Sequence, residues 1–403
     1  MRCTYFSAKS KHSNNFGKMD ENSLIYGLEL QARALTPQYG ESNDVCFFIA
    51  TNSLKPTNQV HLIQYEEEQG TVQSKVFEHA LGEVWKLNSC PHNARLLASV
   101  YNVQKGAQVL TQSALFTLPE DLNPDPEQLK SEYLPWAQVE VLDTEALGER
   151  VKTIEFHPSQ EQILACVVDN KVAVMQRAEA STRVVAEVPT GGSSSGSAKH
   201  TAHFTTGKWS HHHQGHQFLT LQDGNLSAFD VRDTQHCAWS ISDAHGQMVR
   251  DLDCNPNKQC HLVTGGDDGY LRIWDCRMPK APVFERSDHS HWVWSVRFNT
   301  FHDQLLLSSS SDCKVLLTCA GSVSSETQAQ PGLDDSANFS GPEAEERRKL
   351  LPDGLLQTFD QHEDSVYCAE WSNVDPWIFA SLSYDGRVII SKVPKQYKYQ
   401  IIF

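Results

Sequence analysis

The stretch LVTGGDDGYLRIWD (262–275) opens with a short apolar run, turns at a Gly/Asp cluster and then alternates, with Leu271 and Ile273 on one face and Arg272 on the other. Alternation of period 2 around a Gly-containing turn predicts a β-hairpin. LLLSSSSDCKVLL (305–317) and WIFASLSYDGRVII (377–390) repeat the scheme. A further alternating strand precedes each hairpin, as in WVWSVRFN (292–299). The pattern predicts an all-β chain of recurring antiparallel groups.

Spacing turns this recurrence into a repeat. His is followed by Asp 23 residues later at His200–Asp223, His245–Asp268, His289–Asp312 and His362–Asp385, where chance gives roughly one such pair. Four residues after each His stands Phe204, Val249, Val293 or Val366, and nine after it Trp209, Cys254, Phe298 or Trp371. Thr264, Ser308 and Ser381 precede their Asp by four, while Phe229, Trp274, Thr318 and Ser391 follow theirs by six. With this template three degenerate units become visible upstream, the third being RVKTIEFHPSQEQILACVVDNKVAVMQR. The units are 24–78, 79–148, 149–188, 200–244, 245–288, 289–360 and 361–403. Three to four short antiparallel strands every ~40–45 residues is the β-propeller period, so the expected fold is a seven-bladed β-propeller over 24–403. Either KYQIIF (398–403) or an N-terminal strand is expected to close the ring. Residues 1–23 read as a disordered extension, and stretches near 103–147, 188–198 and 320–354 as loop insertions, the last disordered.

Composition narrows the function. The 403 residues carry 34 Lys and Arg against 50 Asp and Glu, a net charge of −16, which argues against nucleic acid or an anionic membrane as partner. No run approaches the ~20 apolar residues of a membrane span. The 11 Cys form no C-x-x-C pair, and MRCTYFSAKSKHSNNFGK has no apolar secretory core, so a reducing, cytoplasmic setting is expected.

The units resemble WD repeats, with Trp274-Asp275 the literal dipeptide. That resemblance implies a buried hydrogen-bonded set in each blade, complete as His245, Thr264, Asp268 and Trp274. It is shorter by the indole as His289, Ser308 and Asp312, and as His362, Ser381 and Asp385. Recurrence at one spacing marks these Ser/Thr-His-Asp sets as scaffold rather than a hydrolase triad. Gly192-Ser-Ser-Ser-Gly196 matches G-x-S-x-G but lacks the strand and helix of a nucleophile elbow. His211, His212, His213 and His216, with His200 and His203, read as a solvated loop, the alternative being a transition-metal site. Cys254, Cys260 and Cys276 fit no zinc spacing. No catalytic residue, metal or cofactor is expected.

A binding scaffold remains. Residues just before the first strand of a unit and beside each clamp Asp are expected to line one face, which nominates Met248, Asp267, Trp292, Ser311, Ser365 and Tyr384 for partner binding. Trp274-Asp-Cys-Arg277 also fits the W-D-x-R pattern of WD proteins that serve as substrate receptors of cullin-type ubiquitin ligases. Arg277 would then meet the ligase adaptor.

Longer strings carry a closer likeness. IYGLELQARALTP (25–37), AHGQMVRDLDCNPNKQ (244–259), HSHWVWSVRFN (289–299) and HEDSVYCAEWSNVDPWIFASLSYDGRVIISKVPK (362–395) resemble the EARP and GARP complex-interacting protein 1 family. The resemblance implies a soluble adaptor of the tethering complexes at the trans-Golgi network and recycling endosomes. It implies roles in endosomal recycling, retrograde transport and dense-core vesicle formation.

Overall fold

The computed structural model describes residues 23–55, 57–123, 133–178, 182–189, 203–233, 236–328 and 351–403. These form seven four-stranded antiparallel sheets arranged as the blades of a propeller. The innermost strands of blades 1 to 7 are Ala32–Pro37, Glu83–Ser89, Val151–Phe156, Thr206–Trp209, Val249–Cys254, Val293–Phe298 and Val366–Trp371. Each packs against the next, and the seventh returns to the first.

Alternation explains why the ring holds. Successive side chains of a strand leave opposite faces, and both faces of every blade meet a neighbour. The core accordingly divides into seven apolar clusters, each shared by two adjacent blades. In blade 1, Phe48 and Ala50 pack toward blade 2, while Phe47 and Ile49 pack toward blade 7. A sheet covered on both faces needs apolar or small residues at consecutive positions, which LLLSSS (305–310), buried throughout, supplies. Gly265 serves the same packing: a Cβ there would lie 2.7 Å from the Val293 side chain of blade 6.

Closure is made by the N-terminal strand. Leu24–Gly27 pairs antiparallel with Arg387–Lys392 as the fourth strand of blade 7, and the Leu28 N–H continues onto the Gly386 carbonyl at 2.8 Å. LIYG therefore belongs to the last blade, not to the unit beginning at residue 24. KYQIIF lies mostly in a helix, Lys395–Ile402, which follows Pro394 and seats Ile401 against the cluster of blades 6 and 7.

The expected insertion near 103–147 is in part blade. The second strand of blade 2 runs through Lys105, and Gln108–Thr117 and Gln138–Val141 complete the sheet. Val188 and Pro189 likewise pair with Val172 and Lys171, and residues 190–198 lie outside the described residues. The insertion at 320–354 is anchored at both ends: Ser325 bonds Asp303 through N–H and Oγ, each at 2.8 Å, and the Ser322 N–H meets Asp353 at 2.9 Å. Its interior, 329–350, and the expected extension up to residue 22 lie outside the described residues.

Candidate partner-binding mouth of the central channel

Six of the seven innermost strands carry a register shift near their start, flanking Arg33, Trp85, Lys152, Arg250, Trp294 and Tyr367. A bulge adds one residue to a strand and re-aims its side chain. Repeated around a ring, it places three cations and three aromatics at one register position.

Five of them converge from different blades. The Arg33 guanidinium carbon lies 4.2 Å from the Tyr367 ring centroid, 4.5 Å from Trp85 and 5.2 Å from Trp294. The Arg250 guanidinium lies 4.6 Å from Trp294 and 5.4 Å from Trp292. Such contacts favour the cation by roughly 0.5–2 kcal/mol each, more when water is excluded. Burial among the rings nonetheless pushes the Arg33 pKa below its usual value, and Arg250 nearby adds to this. Trp85, Trp292 and Met248 remain 38%, 41% and 37% exposed.

The face nominated by spacing gathers at this mouth. Asp267 forms a two-pronged ion pair with Arg250, at 2.6 and 2.7 Å, and its N–H bonds the Met248 carbonyl. Ser311 accepts the Trp294 indole N–H at 2.6 Å and lies 3.1 Å from the Ser365 hydroxyl. Tyr384 packs edge-on against Tyr367 with centroids 5.8 Å apart. Arg277 does not join them. Both prongs of its guanidinium hold Asp275, at 2.9 and 2.6 Å, so the fork offered to a ligase adaptor is already engaged.

Beneath the mouth the blades are clamped. In blade 5 the Trp274 indole, which can only donate, bonds Thr264 Oγ1 at 3.0 Å. The Asp268 carboxylate can only accept, so His245 Nδ1–H donates to it at 2.8 Å, and Nε2 of the neutral ring then accepts the Thr264 hydroxyl proton at 2.8 Å. Burial opposes ionisation of Asp268, but hydrogen bonds from His245 and Arg272 outweigh it and hold the carboxyl well below the usual range. Arg272, on the face opposite Leu271 and Ile273, joins the set: its Nη1 reaches Asp268 at 2.8 Å and the Ala244 carbonyl at 3.2 Å. Blade 6 keeps His289–Asp312 and His289–Ser308, both at 2.9 Å. Blade 7 departs from the direct His–Asp contact. His362 Nδ1 meets Ser383 Oγ at 2.8 Å, and that hydroxyl donates to Asp385 at 2.5 Å, while Nε2 meets Ser381 at 2.7 Å. A hydroxyl two residues before the Asp thus fills the gap. His200 lies outside the described residues.

Thr264→Val removes a hydroxyl that serves two partners and leaves the indole N–H and His245 Nε2 unpaired. It is expected to cost about 2–4 kcal/mol, against about 1–2 for Ser308→Ala, where no indole is involved. Chemical denaturation midpoints of the two variants check the order.

The channel itself is lined by a belt of buried and half-buried charges. Arg297 bridges Asp251 and Glu370, Lys208 holds Asp253 at 2.6 Å, and Lys86 reaches Glu155 at 3.1 Å. Burial opposes both Asp253 and Glu370: Lys208 and Arg297 keep Asp253 below its usual range, whereas Glu370 is pushed up. His212 of the His run bonds the Asn255 carbonyl at 2.7 Å, which ties that loop to blade 5. Ligand atoms of Cys260, Asp275 and Cys276 lie within 4.8 Å of one another, the one such metal-compatible group among the described residues. Asp275 there is already held by Arg277. Cys254 is core, and Gly192–Gly196 lies outside the described residues. No helix of the described residues is long and apolar enough to cross a membrane.

Comparison with known proteins places this chain in a family. The EIPR1 beta-propeller family model matches residues 20–318, and a WD domain, G-beta repeat, matches 354–390. The chain belongs to the EIPR1 beta-propeller family. It is 39% identical over 389 residues to the EARP and GARP complex-interacting protein 1 of Macaca fascicularis, covering 95% of this chain and 99% of that protein. The human protein of the same name and the EARP-interacting protein homolog of Gekko japonicus are each 38% identical, with the same coverage. In this family member the mouth cations and aromatics escaped the spacing argument, although a signal existed. Arg250, Trp294 and Tyr367 each directly follow the apolar residue four places after the clamp His.

Proposed function

We propose that this protein is a non-enzymatic adaptor of the EARP and GARP vesicle-tethering complexes and engages them through the channel mouth. In this reading it works in the cytoplasm, peripheral to the trans-Golgi network and recycling endosomes. There it supports endosomal recycling, endosome-to-Golgi retrograde transport and dense-core vesicle formation, with no part for nucleic acid or membrane insertion. What carries the reading is similarity along nearly the whole chain to proteins named for those complexes. The exposed Trp292, stacked edge-on to Trp294 with centroids 5.9 Å apart, supplies the kind of anchor that dominates interfaces. Affinity purification from cells is expected to recover subunits of both complexes. Trp292→Ala is expected to lower capture about tenfold or more with an unchanged melting temperature. Recovery without the tether subunits, or capture indifferent to the mouth, would count against it.

A further inference from the structure

Arg250 and Arg33 occupy the same bulge position in blades 5 and 1, and both stack on aromatic rings. Stacking uses the faces of a guanidinium and leaves its N–H edges free for a planar, two-pronged partner. Arg250 has that partner in Asp267. Arg33 does not. The residue answering Asp267 in blade 1 is Asn52: the Asp267 N–H bonds the carbonyl two residues before Arg250, and the Asn52 N–H bonds that of Gln31, two before Arg33. Asn52 is neutral, and its amide is turned to the Val84 carbonyl at 2.9 Å. Among the described residues the Arg33 guanidinium has neither a carboxylate nor a hydrogen-bond partner, and Lys152 has no ion pair at the equivalent place in blade 3. A half-buried cation without a counter-charge is costly, and this one stands in a protein of net charge −16 that has carboxylates to spare.

We infer that the mouth accepts an Asp or Glu side chain from a short extended segment of the partner, with the Arg33 guanidinium as its two-pronged anchor. Trp85 of blade 2 stands on one side of Arg33, and Trp294 of blade 6, with Trp292 against it, on the other. A segment that continues past the acid in both directions uses both sets, whereas a C-terminal carboxylate reaches only one. The inference rests on the adaptor reading above and adds the chemistry of the docked segment.

The test uses overlapping 15-residue peptides that tile the subunits of both tethering complexes, probed with the purified full chain, alongside capture of the intact complexes. Bound peptides are expected to share an internal Asp or Glu whose replacement by Asn or Gln weakens binding about tenfold or more. Arg33→Gln is expected to lose the same peptides, and Arg33→Lys to recover only part of the signal, since an ammonium cannot fork. If Arg33→Gln misfolds, neutralising the peptide acid against the unaltered chain decides the matter alone. Capture of the complexes with no peptide bound, with peptides indifferent to their acids or to Arg33→Gln, or with dependence on a terminal carboxylate overturns this inference and leaves the adaptor reading intact. Failure of the unaltered chain to capture either complex overturns both.

Discussion

Deleting residues through Gly27 is expected to cost about 4–8 kcal/mol and to lower the thermal midpoint by roughly 5–10 °C, with concentration-dependent aggregation on sizing columns. Leu24–Gly27 is a strand from the start of the chain in a blade otherwise built from its end, so it clasps the first blade to the last. Four residues pair with Arg387–Ile390, and Leu24 and Tyr26 pack on the cluster of blades 7 and 1. The Tyr26 hydroxyl reaches His61 Nδ1 of blade 1 at 2.9 Å. Without them Arg387–Lys392 becomes an open edge with unpaired N–H and C=O groups, the template on which sheets add strands from other molecules. Tyr26→Ala, which keeps the strand, is expected to lose about 2–3 kcal/mol and to stay monomeric. A truncated chain as stable as the whole one would mean that three strands close blade 7 unaided.

How far such features could be read from sequence depends on whether a local pattern or a distant partner decides them. The clamp of blade 5 is legible because four residue types recur at fixed offsets, and only a shared hydrogen-bond geometry keeps them there. The closing strand is not, because LIYG alternates as well as the ARALTP that follows it. Only the free edge at Arg387–Lys392, more than 350 residues away, assigns it to blade 7. KYQIIF reads as strand by the same alternation. With that edge already filled it coils into a helix after Pro394, whose missing N–H suits the end of a strand and the start of a helix. The mouth is intermediate. Asp267 and Trp292 are reachable from the clamp spacing. Arg33 and Lys152 sit in blades without a His–Asp frame, and only the bulge register shows that they share a position with Arg250.

Acid is expected to unfold the protein well above the pH at which its Arg-held carboxylates Asp230 and Asp275 titrate. His61, His79 and His362 are 7%, 0% and 6% exposed, and burial lowers each to about 4 from the usual 6.5. Each keeps a neutral ring in the fold: His61 between Tyr26 and Gln59, His79 on Ser99, and His362 between Ser381 and Ser383. A folded pKa below the unfolded one means that the unfolded chain takes up the proton first as pH falls. The contribution of each His is therefore complete above about 6.5, shrinks between 6.5 and 4, and is gone below that. A displacement of that size is worth about 3 kcal/mol per ring, so the three together reach about 10, comparable to the whole stability of an ordinary domain. His157 and His261 are displaced the same way, and Glu370, pushed up by burial, returns part of the loss by binding its proton early in the folded state. Asp230 and Asp275, held at about 2 by hydrogen bonds from Arg232 and Arg277, lose their contribution only in a lower window, as pH falls from the usual carboxylate range through 2. The unfolding midpoint is thus expected to be flat from pH 8 to 7 and to fall steeply between 6.5 and 4. His362→Gln, which cannot titrate, is expected to be less stable at pH 7 but to show a shallower slope, short by one proton. A midpoint constant from pH 7 to 5, or a slope unchanged in that variant, would mean that these rings are hydrated in solution and that the clamps open without unfolding the blades.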